Sequence, residues 1–411
     1  MNINHKGFTL VELLMTMTVF IIAIIIAGNS FNAILSHTSK LFRSEESNIE
    51  GVVGLEILRH DLQQAGYGLY TEPMGIDYSE AAAAPANAYN DAATNVPRPL
   101  VAGNNLAAVT DTSDTGPLFD ILPSTDYLAI KATTVARNRT AQKWTYLRYT
   151  SNDVYPNRWV SNAENFATND KVMLLRRQIS TAGQAISVVP GTLPNAFYYP
   201  FSNTAFSHLV SLSADVYTVY GLDDGAGAPR MPFNRSDYFV ARPQDATTIP
   251  AFCAPNTGIL YKTTVNQSGG KLNYVPIMDC VADMQVVLGW DMNGDGMLDT
   301  YSNADGSAVT GTGSSTDVQT AMANAANNTS TITPNIRNSL KIIKVYILAQ
   351  QGRRDPGYTS PSTIQIGDNA ESSLTRPATA GMYDIAAAGW QNYRWKVYRV
   401  IAHPKNLPAN Q

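Results

Sequence analysis

The stretch Asp291-Met292-Asn293-Gly294-Asp295-Gly296-Met297-Leu298-Asp299 sets oxygen-bearing side chains at alternating positions. That is donor chemistry for a hard divalent cation. A tight loop turns every second side chain inward, and Gly296 supplies the turn that other residues resist. The Met297 carbonyl would take the seventh ligand position and Asp299 the ninth, which fits the pattern Asp-x-[Asn/Asp]-x-[Asn/Asp]-Gly. Ser302 stands at the twelfth position, where a bidentate Glu belongs in an EF-hand, and the flanks read as strands rather than helices. The loop is therefore expected to hold calcium structurally, at about 10⁻⁴ M or weaker. The alternative is an Asx-rich turn without metal, because Asn, Asp and Gly favour turns anyway.

Catalytic chemistry finds little support. The histidines are His5, His37, His60, His208 and His403, and no two have metal-ligand spacing. There is no Gly-x-Ser-x-Gly elbow and no phosphate loop. Asp223-Asp224 and Arg353-Arg354-Asp355 read as solvated turns rather than as a carboxylate dyad. The chain is not expected to be an enzyme.

Composition points the same way. Of 411 residues, 15 % are charged and 44 % hydrophobic, with a net charge of −4. Asn, Thr, Ser, Ala and Gly fill the remainder, as in an exported β-rich protein with long polar loops. Nucleic acid is not favoured as a partner, because there is no strong basic excess. Cys253 and Cys280 are the two cysteines. In an oxidising compartment they are expected to pair, closing a loop of about 27 residues at a gain of roughly 3–4 kcal/mol. Two buried free thiols are the alternative.

The elements that carry these groups begin with a long helix. No formal charge lies between Glu12 and Lys40, and an apolar run of this length suffices to cross a bilayer. From Leu41 onward the apolar residues Leu41, Phe42, Ile49, Val52, Val53, Leu55, Leu58, Leu62 and Ala65 recur at steps of three and four, so one stripe faces a core. Residues 8–66 are expected to form one rod of roughly 80 Å, with 8–35 in membrane or filament core and the rest packed on a head. Gly51 and Gly54 each weaken it by about 1 kcal/mol relative to Ala. Gly28-Asn29 either lets the helix loosen or is a tolerated weak spot. The end is expected near Gly66-Tyr67-Gly68, where glycine permits a left-handed cap.

Residues 67–411 are expected to form the head. Residues 73–116 lack periodicity and read as a long loop or insertion. Strand-like runs follow at 126–132, 144–149, 171–176, 214–220, 238–242, 258–262, 284–290, 342–348 and 394–401. Each is rich in β-branched or aromatic residues and bounded by turn formers. In the last, Trp395, Val397 and Ile401 alternate with Arg394, Lys396 and Tyr398, so the first set is expected on the buried face. The fold class is α+β: a long N-terminal helix packed on a mostly antiparallel β head enlarged by loop insertions.

Lys6-Gly7-Phe8-Thr9-Leu10-Val11-Glu12 ahead of the apolar run resembles the class III signal of type IV prepilins. The resemblance implies cleavage between Gly7 and Phe8 by a prepilin peptidase, removal of residues 1–7 (and with them His5), and methylation of the Phe8 amine. A carboxylate inside a membrane helix is costly without a partner. Glu12 lies four residues from that amine, on the same face, and in this family the partner is the terminus of a neighbouring subunit. Asp61-Leu62-Gln63-Gln64-Ala65-Gly66-Tyr67-Gly68 closely resembles the helix end of PilW-like minor pilins, with Gln63 where Arg is usual. Segments 280–291, 340–349, 393–398 and 405–407 extend the likeness, while 73–250 carries little of it. The family implies a minor pilin of a tip or priming complex, and the size of the head argues against a repeating shaft subunit. Implied partners are other minor and major pilins, the peptidase, the inner membrane and a tip adhesin. The head would lie in the periplasm before assembly and on an extracellular pilus after it. The alternatives are a J-type pseudopilin of a type II secretion system and a tip adhesin or binding module.

Overall fold

A computed structural model describes residues 9–91, 96–113, 118–149, 153–180, 183–191, 196–209, 215–325 and 334–407. Helix α1 runs Leu10–Gln64 without a break, 55 residues and about 80 Å. It continues through Gly28-Asn29, where a Cβ added to the glycine would meet nothing within 4 Å. Ala65 ends it, and Gly66 and Gly68 follow at φ +85° and +68°, the left-handed turn that glycine adopts without penalty.

The head is built on an antiparallel sheet of 11 strands among the described residues. Its centre runs Tyr127–Ala132, Asn234–Pro243, Gly258–Val265, then the 19-residue strand Leu272–Trp290. Leu340–Gln351 pairs with that long strand and with Arg394–Ala402. Side chains alternate across the pleat, so each strand serves two layers. Tyr238 and Val240 face α1, in a core with Leu55, Leu58, Leu62, Val286 and Leu288. Their neighbours Phe239 and Ala241 face the other way, in a core with Met173, Leu175 and Phe233.

Tyr127–Ala132 and Asn234–Pro243 are direct neighbours, with Ile130 opposite Ser236 and Leu128 opposite Tyr238. The chain between them, 133–233, leaves the main sheet and builds a second, six-stranded sheet in the order Val154–Pro156, Trp144–Tyr149, Asp215–Asp223, Lys171–Ser180, Gly183–Val189, with Tyr199–Pro200 beside Lys171–Ser180. One side of this sheet closes a core of its own around Leu147, Val172, Leu174, Phe206 and Val219. The layers are therefore α1, main sheet and second sheet.

Two sequence readings need correction. Residues 73–116 are not simply a loop. They include the strand Leu100–Gly103, which pairs with Tyr127–Ala132, and they send Glu80 into the core. There Glu80 lies 2.8 Å from Lys131 and 3.0 Å from Arg235, both fully buried. Polarity misled because these charges are compensated inside the protein, not by water. The face assignment of Arg394–Ala402 is also reversed at its C-terminal end. Tyr398, Val400 and Ala402 are buried in the α1 core while Ile401 is exposed. Trp395 and Val397 pack on the opposite face against Trp390, Tyr346 and Leu348. The face of Trp395 and Val397 is covered over its first half but opens to solvent at Arg399 and Ile401, so simple alternation did not name the buried face.

The helical glycines have a packing reason. A Cβ on Gly54 would sit 2.0 Å from the Ile277 carbonyl oxygen, whereas one on Gly51 would meet only the Met278 methyl at 3.0 Å. Backbone cannot yield as a flexible methyl can. We expect Gly54→Ala to destabilise the head by about 1–3 kcal/mol despite a helix-propensity gain of about 1 kcal/mol. Gly28→Ala should not. Thermal unfolding of the full-length chain in detergent compares the two; equal melting temperatures would refute the close-approach explanation.

Candidate functional site

The helix defines the site. Leu10–Asn32, 23 residues, is long and apolar enough to cross a membrane, and none of it is buried against the head. Glu12 lies in its first turn. Its Oε2 accepts from the Thr9 amide and hydroxyl, each at 3.0 Å, while the Glu12 amide donates to Thr9 Oγ1 at 3.3 Å. This reciprocal capping box satisfies orphan amides at the helix start. Within one chain Glu12 thus has a partner, Thr9, that the reading of charges overlooked. The Thr-x-x-Glu spacing was the available signal. Gly7 and Phe8 lie outside the described residues.

The second half of α1 is pinned to the head. Asp61, 3 % exposed, accepts at Oδ2 from Lys262 Nζ at 2.5 Å and from the Tyr238 hydroxyl at 2.6 Å. Burial, reinforced by the Asp61 carboxylate, raises the Tyr238 phenol well above its ordinary range, so it remains a donor. At the helix end the Gln63 carbonyl accepts from the Lys405 amide at 3.1 Å and from Asn406 Nδ2 at 3.2 Å. Leu407 is fully buried against Gly66. The two sequence segments 61–68 and 405–407 therefore meet. Gln63 acts there through its backbone, which leaves its side-chain identity free.

Facing away from the head, α1 presents Val52, Val53 and Ile57, which are 53 %, 60 % and 40 % exposed. Open hollows of about 800 and 840 Å3 flank this ridge. Gly51, Phe252, Met278 and Tyr398 line one, and His60, Thr134, Arg137 and Gln142 line the other. Apolar side chains thus stand uncovered on the docked half as well as on the first half.

The 291–299 loop closes on itself. Asp291 accepts from the Gly294 and Gly296 amides at 2.7 and 2.8 Å, and Asp299 Oδ2 from the Met292 and Asn293 amides at 3.0 and 3.2 Å. Asn293 Nδ2 donates to Asp295 Oδ2 at 3.2 Å. Gly294 and Gly296 take φ +76° and +89°. Met297 is at the exposed tip. Lys341 Nζ lies 3.4 Å from Asp291 Oδ2. Among the described residues no three His, Cys, Asp or Glu side chains converge as a metal cluster. The donor types suit a hard cation, and each carboxylate keeps spare lone pairs, but Lys341 is the cation that Asp291 meets here. Cys253 and Cys280 form a disulfide with Cα atoms 5.0 Å apart, tying the loop after Asn234–Pro243 to the bend of Leu272–Trp290.

Comparison with known families follows this geometry. A family model described as prokaryotic N-terminal methylation motif matches residues 2–28, and one described as Type IV Pilus-assembly protein W matches residues 237–403. No curated protein and no solved structure matches the chain. An apolar N-terminal helix bearing the methylation motif, docked on an antiparallel β head, fits a membrane-anchored, type IV pilus-related pilin. Within that class the chain is PilW-like. The match over 237–403 holds most strands of the main sheet, though not Leu100–Gly103 or Tyr127–Ala132, and excludes the second sheet.

Replacing Asp61 by Ala leaves Lys262 buried and unpaired, at an expected cost of about 3–5 kcal/mol. Combining Asp61→Leu with Lys262→Met should recover most of it, because an apolar pair removes both charges. Thermal unfolding of the three full-length forms is the check; a double variant no better than Asp61→Ala would show that the pin is not the reason for the loss.

Proposed function

We propose that this chain is a minor pilin that is cut between Gly7 and Phe8, methylated on Phe8, and assembled into a type IV pilus as part of a tip complex that primes polymerisation. The observation that carries the reading is α1 itself. Its first half is apolar on all sides, and its docked half keeps the ridge Val52, Val53 and Ile57 uncovered. A monomer gains nothing from apolar side chains left exposed on both halves of the helix, whereas helices packed side by side bury them. Glu12 is the charged residue of the apolar half. On assembly its carboxylate would exchange Thr9 for the methylated amine of a neighbour and so fix the register, because a charge in an apolar core tolerates only the alignment that pairs it. The prepilin would wait in the inner membrane with its head in the periplasm. A head of this bulk fits a filament end better than a shaft lattice. The chain's part is structural, with no catalytic step.

Mass spectrometry of the chain from cells with an active prepilin peptidase should find residues 1–7 absent and one methyl group on Phe8. Glu12→Ala should leave cleavage intact and remove the chain from sheared filaments. An uncut chain refutes the processing; Glu12→Ala chains that enter filaments normally refute the role of the carboxylate.

Calcium at Asp291, Asn293, Asp295, the Met297 carbonyl and Asp299 belongs to the same proposal, as a device that orders the loop after Leu272–Trp290. Its support is the alternating donor set. Binding requires Lys341 to release Asp291. Calorimetric titration of the full-length chain should give saturable binding near ~10⁻⁴ M, abolished by Asp295→Ala. No heat up to millimolar calcium would reduce the loop to a self-closed turn.

A further inference from the structure

We propose that the second sheet carries a binding site for a neutral carbohydrate, formed by Trp144, Tyr146 and Trp159. It goes beyond the assembly reading and stands or falls independently of it.

Residues 133–233 interrupt two strands that are already neighbours, so the main sheet does not require this excursion. On Trp144–Tyr149, exposed and buried residues alternate. Thr145 and Leu147 point inward, while Trp144 and Tyr146 remain 42 % and 40 % exposed. Trp159 stands against both, its ring centroid 5.2 Å from Trp144 and 6.0 Å from Tyr146, at interplanar angles of 64° and 71°. Two rings thus form a floor, and the third forms a wall across it.

The wall is fixed in advance. Trp159 Nε1 donates to the Trp144 carbonyl at 2.9 Å. The Trp159 amide donates to Asn165 Oδ1 at 2.8 Å, and Asn165 Nδ2 returns a bond to the Trp159 carbonyl at 2.9 Å. A tryptophan held at three points, once through its indole and twice through its backbone, beside two rings left open to solvent, is ordered before any ligand arrives, and this lowers the entropy cost of binding. If shielding the strand were its role, Trp144 and Tyr146 would be covered.

The polar surroundings select the occupant. Beside Trp159 lies a notch of about 30 Å3, room for one water or hydroxyl. Asn157, Arg158, Glu164, Asn165, Asn203 and Thr145 line it. One guanidinium and one carboxylate cancel, and the carboxamides of Asn157 and Asn203 offer donors and acceptors together, while that of Asn165 is committed to Trp159 and Ser161. A single-stranded nucleic acid needs a continuous cationic track beside its stacking rings, and here Arg148 is the cation that follows Tyr146 along the exposed face. Uncharged polyols with apolar C–H faces match both features: the faces stack on the rings and the hydroxyls meet the amides.

The test uses the full-length chain in a zwitterionic, sugar-free detergent, with cellopentaose, chitopentaose, maltopentaose and mannopentaose as probes and oligo(dT) as the polyanion. Calorimetry and tryptophan fluorescence read binding. At least one neutral oligosaccharide should bind saturably and without salt dependence. Trp159→Ala and Tyr146→Ala should each weaken it about tenfold or more, while Gln319→Ala, at an exposed position on the helix Ser315–Ala323, leaves it unchanged. Tyr146 is exposed, so Tyr146→Ala keeps the test valid if Trp159→Ala fails to fold. Binding to none of the four sugars, sugar binding that Tyr146→Ala does not alter, or binding confined to oligo(dT) and lost with salt would each overturn the proposal.

Discussion

The structure depends on seating the second half of one long helix on one face of the main sheet. Three local features make that seat. Leu58 and Leu62 are fully buried in the shared core, each side chain worth about 1.5–3 kcal/mol of apolar burial. Gly54 lets the helix backbone approach the Ile277 carbonyl. Asp61 then fixes rotation and register, because its carboxylate must find Lys262 and Tyr238 at once. A buried ion pair adds little net stability over an apolar one but tolerates few alternative alignments. Because α1 is continuous from Leu10 to Gln64, whatever orients its docked half also aims the apolar half. The head's position relative to membrane or filament is thereby set.

Much of this was legible in sequence, and the limits have physical causes. The strand cores were marked by runs such as 144–149 and 342–348, where branched and aromatic residues leave few choices. The helix and its glycine terminus were marked by periodicity and by Gly66. The strand Leu100–Gly103 was hidden because its pairing with Tyr127–Ala132 is a tertiary choice that its polar neighbours do not announce. The Glu80–Lys131–Arg235 group was hidden for a related reason: its three members come from distant segments, and each alone looks like a surface charge. Arg394–Ala402 defeated alternation because two cores compete for it. Gly54 was read as a cost to the helix, while the benefit lies in a backbone oxygen more than two hundred residues away.

The site was legible in a similar proportion. The Cys253–Cys280 pairing was legible as the default of an oxidising compartment, and the structure forms it. Thr9 as the monomer's partner for Glu12 was available in the spacing. That the segments 61–68 and 405–407 meet, through the Gln63 carbonyl and Leu407, emerges only from the fold. The family match over 237–403 covers most of the main sheet that seats α1, while the second sheet lies outside it on the opposite face, free to take on other surface chemistry.

The most direct test of the central claim is immunogold electron microscopy of sheared filaments from cells expressing the chain with an epitope tag on the second sheet. The account predicts label at one end of the filaments. Label that stays in the membrane fraction of cells whose filaments are otherwise normal would contradict it.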